Sequence, residues 1–353
     1  MKYVVFSIVL LSVGYLLPTA LVLRRPCRQR EIEWISPDLG NVCKGFAILI
    51  IMLGHTGNCF GVRYLTPLGS WGVGIFLFLS GYGLECSVQK KGLHQYWKKR
   101  ILTAYLPYMA AELLGILFQI GAEYQNASVL DVILDLLLIK TIHPFGWYMQ
   151  CLFLFYAAFF LANKLYAAQL RKKYVLLGLT AAALFLLFDD LYKQQLFSFL
   201  LGVFAANNIS FFRRKTESVW FPCSIFAVGG IFLAIRQMSF VRQLHWVLYN
   251  GIFALQVGFL TVGTILLLFC LYRRLHPGLF EIMLYVGLIS YELYLYHGFV
   301  YSSFAAGQVS CGRIAGFWGL SFLIAVVMFW LKRMIMRKGQ GNLSGVGLFP
   351  NRK

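Results

Sequence analysis

Apolar runs of about twenty residues recur along the chain, separated by short basic or polar stretches. A run of that length crosses the hydrocarbon core of a bilayer as a helix. The pattern predicts eleven spans. They are Tyr3 to Leu23, Val42 to Phe60, Trp71 to Val88, Ile101 to Gly121, Gly146 to Leu161, Tyr174 to Phe188, Leu196 to Ile209, Val219 to Ile235, Trp246 to Tyr272, Ile282 to Ser302 and Ile314 to Leu331. Two depart from the norm: Leu196 to Ile209 is short, and Trp246 to Tyr272 is long enough to tilt or break. Ser128 to Lys140 fits no span, since this apolar stretch carries Asp131 and Asp135 four positions apart. That spacing puts both carboxylates on one helical face. It predicts an amphipathic helix lying on the outer surface. Inter-span stretches are too short for a soluble domain. The expected fold is all-α, a polytopic membrane bundle of about 10–11 transmembrane helices. Residues 1–35 form an anchor and basic linker, 36–335 the membrane domain, and 336–353 a basic tail.

Composition agrees with this pattern. Of 353 residues, 59% are hydrophobic and 13% charged, and the mean hydropathy is +0.71. Those values exclude a disordered chain or an ordinary soluble one. The net charge of +19 does not indicate nucleic acid, because the basic residues lie between spans rather than in one domain. They act as topology signals. With the N-terminus outside and the C-terminus cytoplasmic, only Lys2, Arg63, Lys140, Lys193, Arg236, Arg242 and Arg313 fall outside, leaving 25 of the 32 Lys and Arg inside. The first run has Lys2 before it and Arg24, Arg25, Arg28 and Arg30 after it, so it is expected to be a retained anchor rather than a cleaved signal. The eight cysteines are scattered and none forms a Cys-x-x-Cys pair, so no metal site or disulfide framework is expected.

Lys44 and His55 lie in the same apolar run, eleven positions apart. Eleven helical steps are about 1100°, three turns plus about 20°, so the two share a face about 16 Å apart. Ionisable groups at such depth mark a site or pathway. Each also has a bland reading: the lysine snorkels to headgroups, and the histidine bonds a neighbouring carbonyl. Ser290, Tyr294 and His297 share another face, at about 0°, 40° and −20°, and serve either packing or an acceptor. Glu112 and Glu292 are mid-span carboxylates suited to pairing with a base or to catalysis. Trp147 and Tyr148 suit an interfacial belt or a site wall. His94, His245 and His276 sit in loops or at span ends, and the role of His143 stays open.

Five stretches, taken in order, resemble the acyltransferase 3 family. They are Lys44 to His55 (lysine where arginine is commoner), GVGIFLFLSGYGL from Gly72 to Leu84, YWKKRILTAYLPY from Tyr96 to Tyr108, GWYMQCLFLFY from Gly146 to Tyr156, and ISYELYLYHG from Ile289 to Gly298. In the third, Arg100 matches the first of two basic residues and Thr103 replaces the second. The resemblance covers about Val42 to Leu331. It implies a bacterial inner-membrane enzyme that moves acyl, usually acetyl, groups from cytoplasmic acyl-CoA to carbohydrate, glycan or glycolipid hydroxyls. No bound cofactor and no metal are implied; acyl-CoA is a co-substrate. The resemblance makes His55 the catalytic base or transient acyl carrier, chemistry open to a neutral imidazole. It groups Lys44 with His55 as catalytic and assigns Lys44 and Arg100 to the donor phosphates. Gly72, Gly74, Ser80 and Gly81 fall on the donor side, where glycines admit a pantetheine arm or a neighbouring helix. His297, Tyr294, Ser290, Trp147 and Glu112 fall on the acceptor side. The alternative is a transporter or flippase of a lipid-linked or anionic substrate, which would also need in-membrane Lys, His and Glu. The inverted repeats common in transporters are not visible.

Overall fold

The computed structural model describes residues 33–59, 61–120, 122–143, 145–304 and 310–340. The expected anchor Tyr3 to Leu23 and the end of the basic tail lie outside the described residues. Within them, every regular element is helical. The main helices are α1 (Pro37–Cys59), α2 (Pro67–Lys91), α3 (Tyr96–Leu117), α4 (Val129–Leu136), α5 (Trp147–Tyr166), α6 (Leu170–Leu187), α7 (Ser198–Asn207), α8 (Ile209–Lys215), α9 (Trp220–Gln237), α10 (Trp246–Arg274), α11 (Glu281–Leu288), α12 (Ser290–Phe304) and α13 (Cys311–Gln340). Seven are long and apolar enough to cross a membrane, or nine elements if each of two bent pairs counts as one span. Helix α6 carries Arg171, Lys172 and Lys173 in its first turn and is apolar beyond it.

The two bent pairs correct the simple reading of two runs. Ile282 to Ser302 was expected as one straight span. Instead the segments Pro277–Leu288 and Ser290–Phe304 meet at 63°. At the break the Ser290 hydroxyl donates to the Gly287 carbonyl at 2.8 Å, supplying a bond that the helix no longer makes. The short run Leu196 to Ile209 ends where α8 turns away by 93°. Trp246 to Tyr272 does not break: α10 is a single helix of 29 residues. At about 44 Å it exceeds the roughly 30 Å hydrocarbon core and must tilt or project.

Reciprocal glycines set the helix crossings. A Cβ on Gly81 would sit 2.3 Å from the Phe199 carbonyl oxygen, and one on Gly202 would sit 2.0 Å from that of Phe78, so α2 and α7 touch backbone to backbone. Gly45 meets Met283 O at 1.9 Å and Gly287 meets Asn41 O at 1.9 Å, which joins α1 to α11. Gly229 and Gly263 do the same for α9 and α10. Lipid is as apolar as leucine, so close packing rather than water exclusion drives such contacts.

The amphipathic segment is shorter than expected and its two acids diverge. Ser128 and Asp131 form a capping box at the start of α4, and Asp131 pairs with Lys140 at 2.5 Å. Asp135 is fully buried, accepting from the Tyr108 hydroxyl at 2.9 Å and the Ile142 amide at 3.1 Å. Val129, Leu130 and Ile133 stay exposed on the other side of the helix.

Candidate active site

Helix α1 is unbroken from Lys44 to His55, so the expected phase and spacing hold. Its upper end is pinned from two sides. The Thr56 hydroxyl donates back to Met52 O at 2.8 Å and accepts from Trp318 Nε1 of α13 at 2.9 Å. This fixes the turn that carries His55.

Around that turn three imidazoles gather on one phenylalanine. The His55 ring lies 4.1 Å from Phe145, 5.2 Å from His297 and 5.5 Å from Tyr301. Phe145 stacks on His297 at 4.9 Å with planes 2° apart, and the His143 ring is 5.6 Å from Phe145. Gly298 makes room: a Cβ there would lie 2.1 Å from His143 Cε1. His297 Nδ1 faces only acceptors, Tyr294 O at 2.7 Å and Leu293 O at 3.0 Å. Nδ1 therefore carries the hydrogen and Nε2 keeps its lone pair. His143 Nδ1 accepts from the Phe145 amide at 3.1 Å, so its hydrogen is on Nε2. His55 Nδ1, His143 Nε2 and His297 Nε2 are buried with no hydrogen-bond partner. Burial, reinforced by His297, pushes the His143 pKa down to about 3, so that ring is neutral at ordinary pH. Buried imidazoles with unpartnered nitrogens suit proton transfer or acyl capture.

A tract of phenols leads from this cluster toward the basic end of α3. The Tyr294 ring is 5.7 Å from His297 and 4.9 Å from Tyr148, and its hydroxyl donates to Phe145 O at 2.7 Å. Ser80 neighbours the phenols of Tyr148 and Tyr156. The Arg100 guanidinium covers Tyr156 at 5.7 Å and Tyr96 at 5.2 Å, with its Nε buried and unpartnered. A five-residue π turn, Ile101–Tyr105, follows it at once. Such turns often mark functional positions. Here Thr103 does not replace the missing cation: its hydroxyl donates to Lys99 O at 2.7 Å. Lys44 Nζ lies 3.5 Å from Asn41 Oδ1, one turn earlier on α1.

Several sequence candidates sit elsewhere. Gly72, Gly74 and Gly81 are filled against protein: a Cβ on Gly72 would meet Ala47 O at 2.5 Å, and one on Gly74 would meet Thr261 Oγ1 at 2.5 Å. At these three glycines the close approach is made by neighbouring helices, one of the two readings the sequence left open. The Ser290 hydroxyl donates to Gly287 O at the helix break. Trp147 is buried, edge-on to Tyr192 at 5.5 Å, so it is not an interfacial belt residue. Glu112 is buried and accepts from the Tyr124 hydroxyl at 2.6 Å. Its carboxyl meets that of Asp135, whose pKa burial raises. Two touching buried carboxyls must share at least one proton. Glu292 pairs with Lys332 at 2.6 Å, the structural alternative.

Sequence reasoning singled out neither Phe145 nor the buried role of Asp135, and it left His143 open. All three depend on the loop before α5, whose path no periodicity encodes. Among the described residues, no group of three or more His, Cys, Asp or Glu is arranged to hold a metal ion. Two cavities are lined by none of these histidines. One of about 580 Å³ is lined by Glu85, Gln89, Asn163, Lys173 and Asn207, with Lys173 and Glu85 paired at 3.0 Å. The other, of about 500 Å³, lies between the end of α1 and the facing ends of α9 and α10.

Comparison with curated proteins and with solved structures returned no match. A family model described as an acyltransferase domain matches residues 41–333, from the base of α1 into the last helix, a stretch that holds all three histidines and Arg100. The chain therefore belongs to the acyltransferase 3 family, and it is a multi-pass membrane acyltransferase.

Proposed function

We propose that this enzyme transfers an acyl group, acetyl by default, from cytoplasmic acyl-CoA to a hydroxyl of a carbohydrate, glycan or glycolipid in a bacterial inner membrane. One observation carries the reading: unpartnered nitrogens of His55 and His297 lie together at one end of a buried tyrosine tract whose other end is capped by Arg100. The tract provides a polar lining between a cationic end, suited to CoA phosphates, and a basic end, suited to acyl transfer.

In the base route, a nitrogen of His55 takes the hydroxyl proton as the oxygen attacks the thioester carbonyl. The carbon–sulfur bond then breaks, and CoA leaves as thiolate and recovers the proton. In the carrier route, His55 attacks first and releases CoA, and the hydroxyl then takes the acyl group from the imidazole. Both routes need a neutral ring. His297 Nε2 keeps its lone pair beside it and is suited to steady the His55 proton. Lys44 and Arg100 orient the donor from the cytoplasmic end. Tyr294 belongs to the tract wall. Trp147 packs against Tyr148 in that wall at 6.5 Å, whereas Ser290 and Glu112 bond elsewhere, to Gly287 O and the Tyr124 hydroxyl.

The test uses purified protein with radiolabelled acetyl-CoA and envelope glycolipid extract. Label appearing in glycolipid, or slow acetyl-CoA hydrolysis without it, supports the reading. Counterflow of a substrate without covalent change identifies a carrier instead and sinks it.

A further inference from the structure

The cavity at the upper end of α1 holds a cation with no obvious purpose in acyl transfer. Its lining includes Asn58, Thr66, Gln194, Arg236, Arg242 and Tyr249. Arg236 is only 7% exposed. Its guanidinium lies 3.7 Å over the Phe253 ring, and Nη1 donates to the Tyr249 hydroxyl at a long 3.4 Å. Its Nε is buried without a partner. Among the described residues no carboxylate forms an ion pair with Arg236. Asp190, four positions before Gln194, is taken by Lys193 at 3.0 Å and Asn250 at 3.1 Å. A buried charge costs several kcal/mol unless paired. Guanidinium is also the group best suited to grip a carboxylate or phosphate with two parallel bonds. The volume suits a small polar ligand. Asn58 is one turn beyond His55 on α1, about 4.5 Å along its axis.

We infer that this cavity binds an anionic group, a phosphate or a carboxylate, on the molecule that is acylated. Arg236 grips the anion, Arg242 adds charge at the rim, and the side-chain amide N–H groups of Asn58 and Gln194 supply neutral donors, with Thr66 holding Asn58 by donating to its Oδ1 at 2.7 Å. The acceptor is thus an acidic glycan or glycolipid unit held by its charge while a hydroxyl reaches the histidines. This assignment rests on the transferase reading above; the anion site itself does not. The same chemistry is found in the headgroup of an anionic lipid, and the two sources are separable.

The experiment measures binding of glucose 1-phosphate, glucuronate and neutral glucose by calorimetry. The purified full chain is held in phosphatidylcholine nanodiscs and, separately, in phosphatidylglycerol nanodiscs. Saturable binding of at least one anion but not of glucose is expected, weakened about tenfold or more in Arg236→Gln. Arg236→Lys should recover part of the loss, as a cation without the fork. If Arg236→Gln does not fold, Arg242→Gln replaces it, with a loss of about threefold and a weaker salt dependence expected. Binding that persists in phosphatidylglycerol supports an anion borne by the acceptor. Binding abolished there assigns the cavity to a lipid headgroup and overturns the acceptor assignment. No saturable binding by wild type, or affinity unchanged in every arginine variant, overturns the anion site. Acetyl-CoA hydrolysis by the same wild-type preparation is scored separately: its absence, with anion binding intact, removes the transferase reading and leaves the anion site.

Discussion

His55 lies near the end of α1 with a buried, unpartnered Nδ1 and the His297 ring 5.2 Å away. His55→Gln keeps the size and some hydrogen bonding but cannot accept a proton. Transfer should fall by about 10²–10⁴-fold with CoA affinity nearly unchanged. Retention of more than about a tenth of wild-type turnover would make His55 a packing residue. His297→Asn keeps a polar group near Nδ1 and loses Nε2, so it should lower turnover rather than only acceptor affinity, read as a fall in kcat at unchanged KM. His143 gives a stability signature instead. Its pKa is held near 3 in the folded protein by burial against about 6.5 unfolded. Unfolding therefore binds a proton anywhere between those values. Stability from this group is complete above about pH 6.5 and is lost as pH falls toward 3, by at most about 1.4 kcal/mol per pH unit. Thermal unfolding between pH 7.5 and 4.5 should fall less steeply in His143→Asn than in wild type; parallel curves would count against a buried neutral ring. At this scale the sequence was half legible. Lys44 and His55 share one helix, so their spacing alone gave their phase. The His55–Phe145–His297 contact joins three segments across more than two hundred positions, and nothing local announces it. Asp131 and Asp135 share a face by count, yet one reaches Lys140 and the other reaches Tyr108 and Ile142.

At the scale of elements, the apolar runs located most helices because length and hydropathy suffice for that. They did not locate the break at Ile289. Ile282 to Ser302 is apolar on both sides of it, and the determinants are tertiary: Gly287 against Asn41 O and Ser290 bonded to Gly287 O. The glycines were visible as a class, but the sequence alone could not divide helix contact from ligand contact. Gly81→Ala and Gly202→Ala each place a Cβ under 2.5 Å from a facing carbonyl oxygen. Each should destabilise by about 1–3 kcal/mol through forced separation of α2 and α7. Gly83, with no atom within 4 Å of an added Cβ, is the control: Gly83→Ala should match wild type or gain slightly. Thermal unfolding in detergent measures all three, and equal midpoints would refute backbone contact between these helices.

Across the whole molecule the question is which end of the bundle faces the cytoplasm. The two ends differ in charge. Lys90, Lys91, Lys98, Lys99, Arg100, Arg171, Lys172, Lys173, Arg213, Arg214 and Lys215 fall at turns that alternate with turns holding Lys140, Lys193, Arg236 and Arg242. Basic loops stay cytoplasmic, so the Arg100 end should face inward and the Arg236 cavity outward. That orientation would put the acyl-CoA phosphates and the charged acceptor on opposite sides of the histidines, so the acyl group alone needs to cross. Cys311 offers a native probe. It is a free, exposed thiol at the start of α13, on the end predicted to lie outside. A membrane-impermeant maleimide applied to intact cells should label the wild-type protein, and Cys311→Ser should remove most of that label. Labelling of Cys311 only after the cells are permeabilised would invert the bundle. It would then place Arg236 with the CoA pool and Arg100 with the outer face, and the donor and acceptor ends assigned above would have to be exchanged.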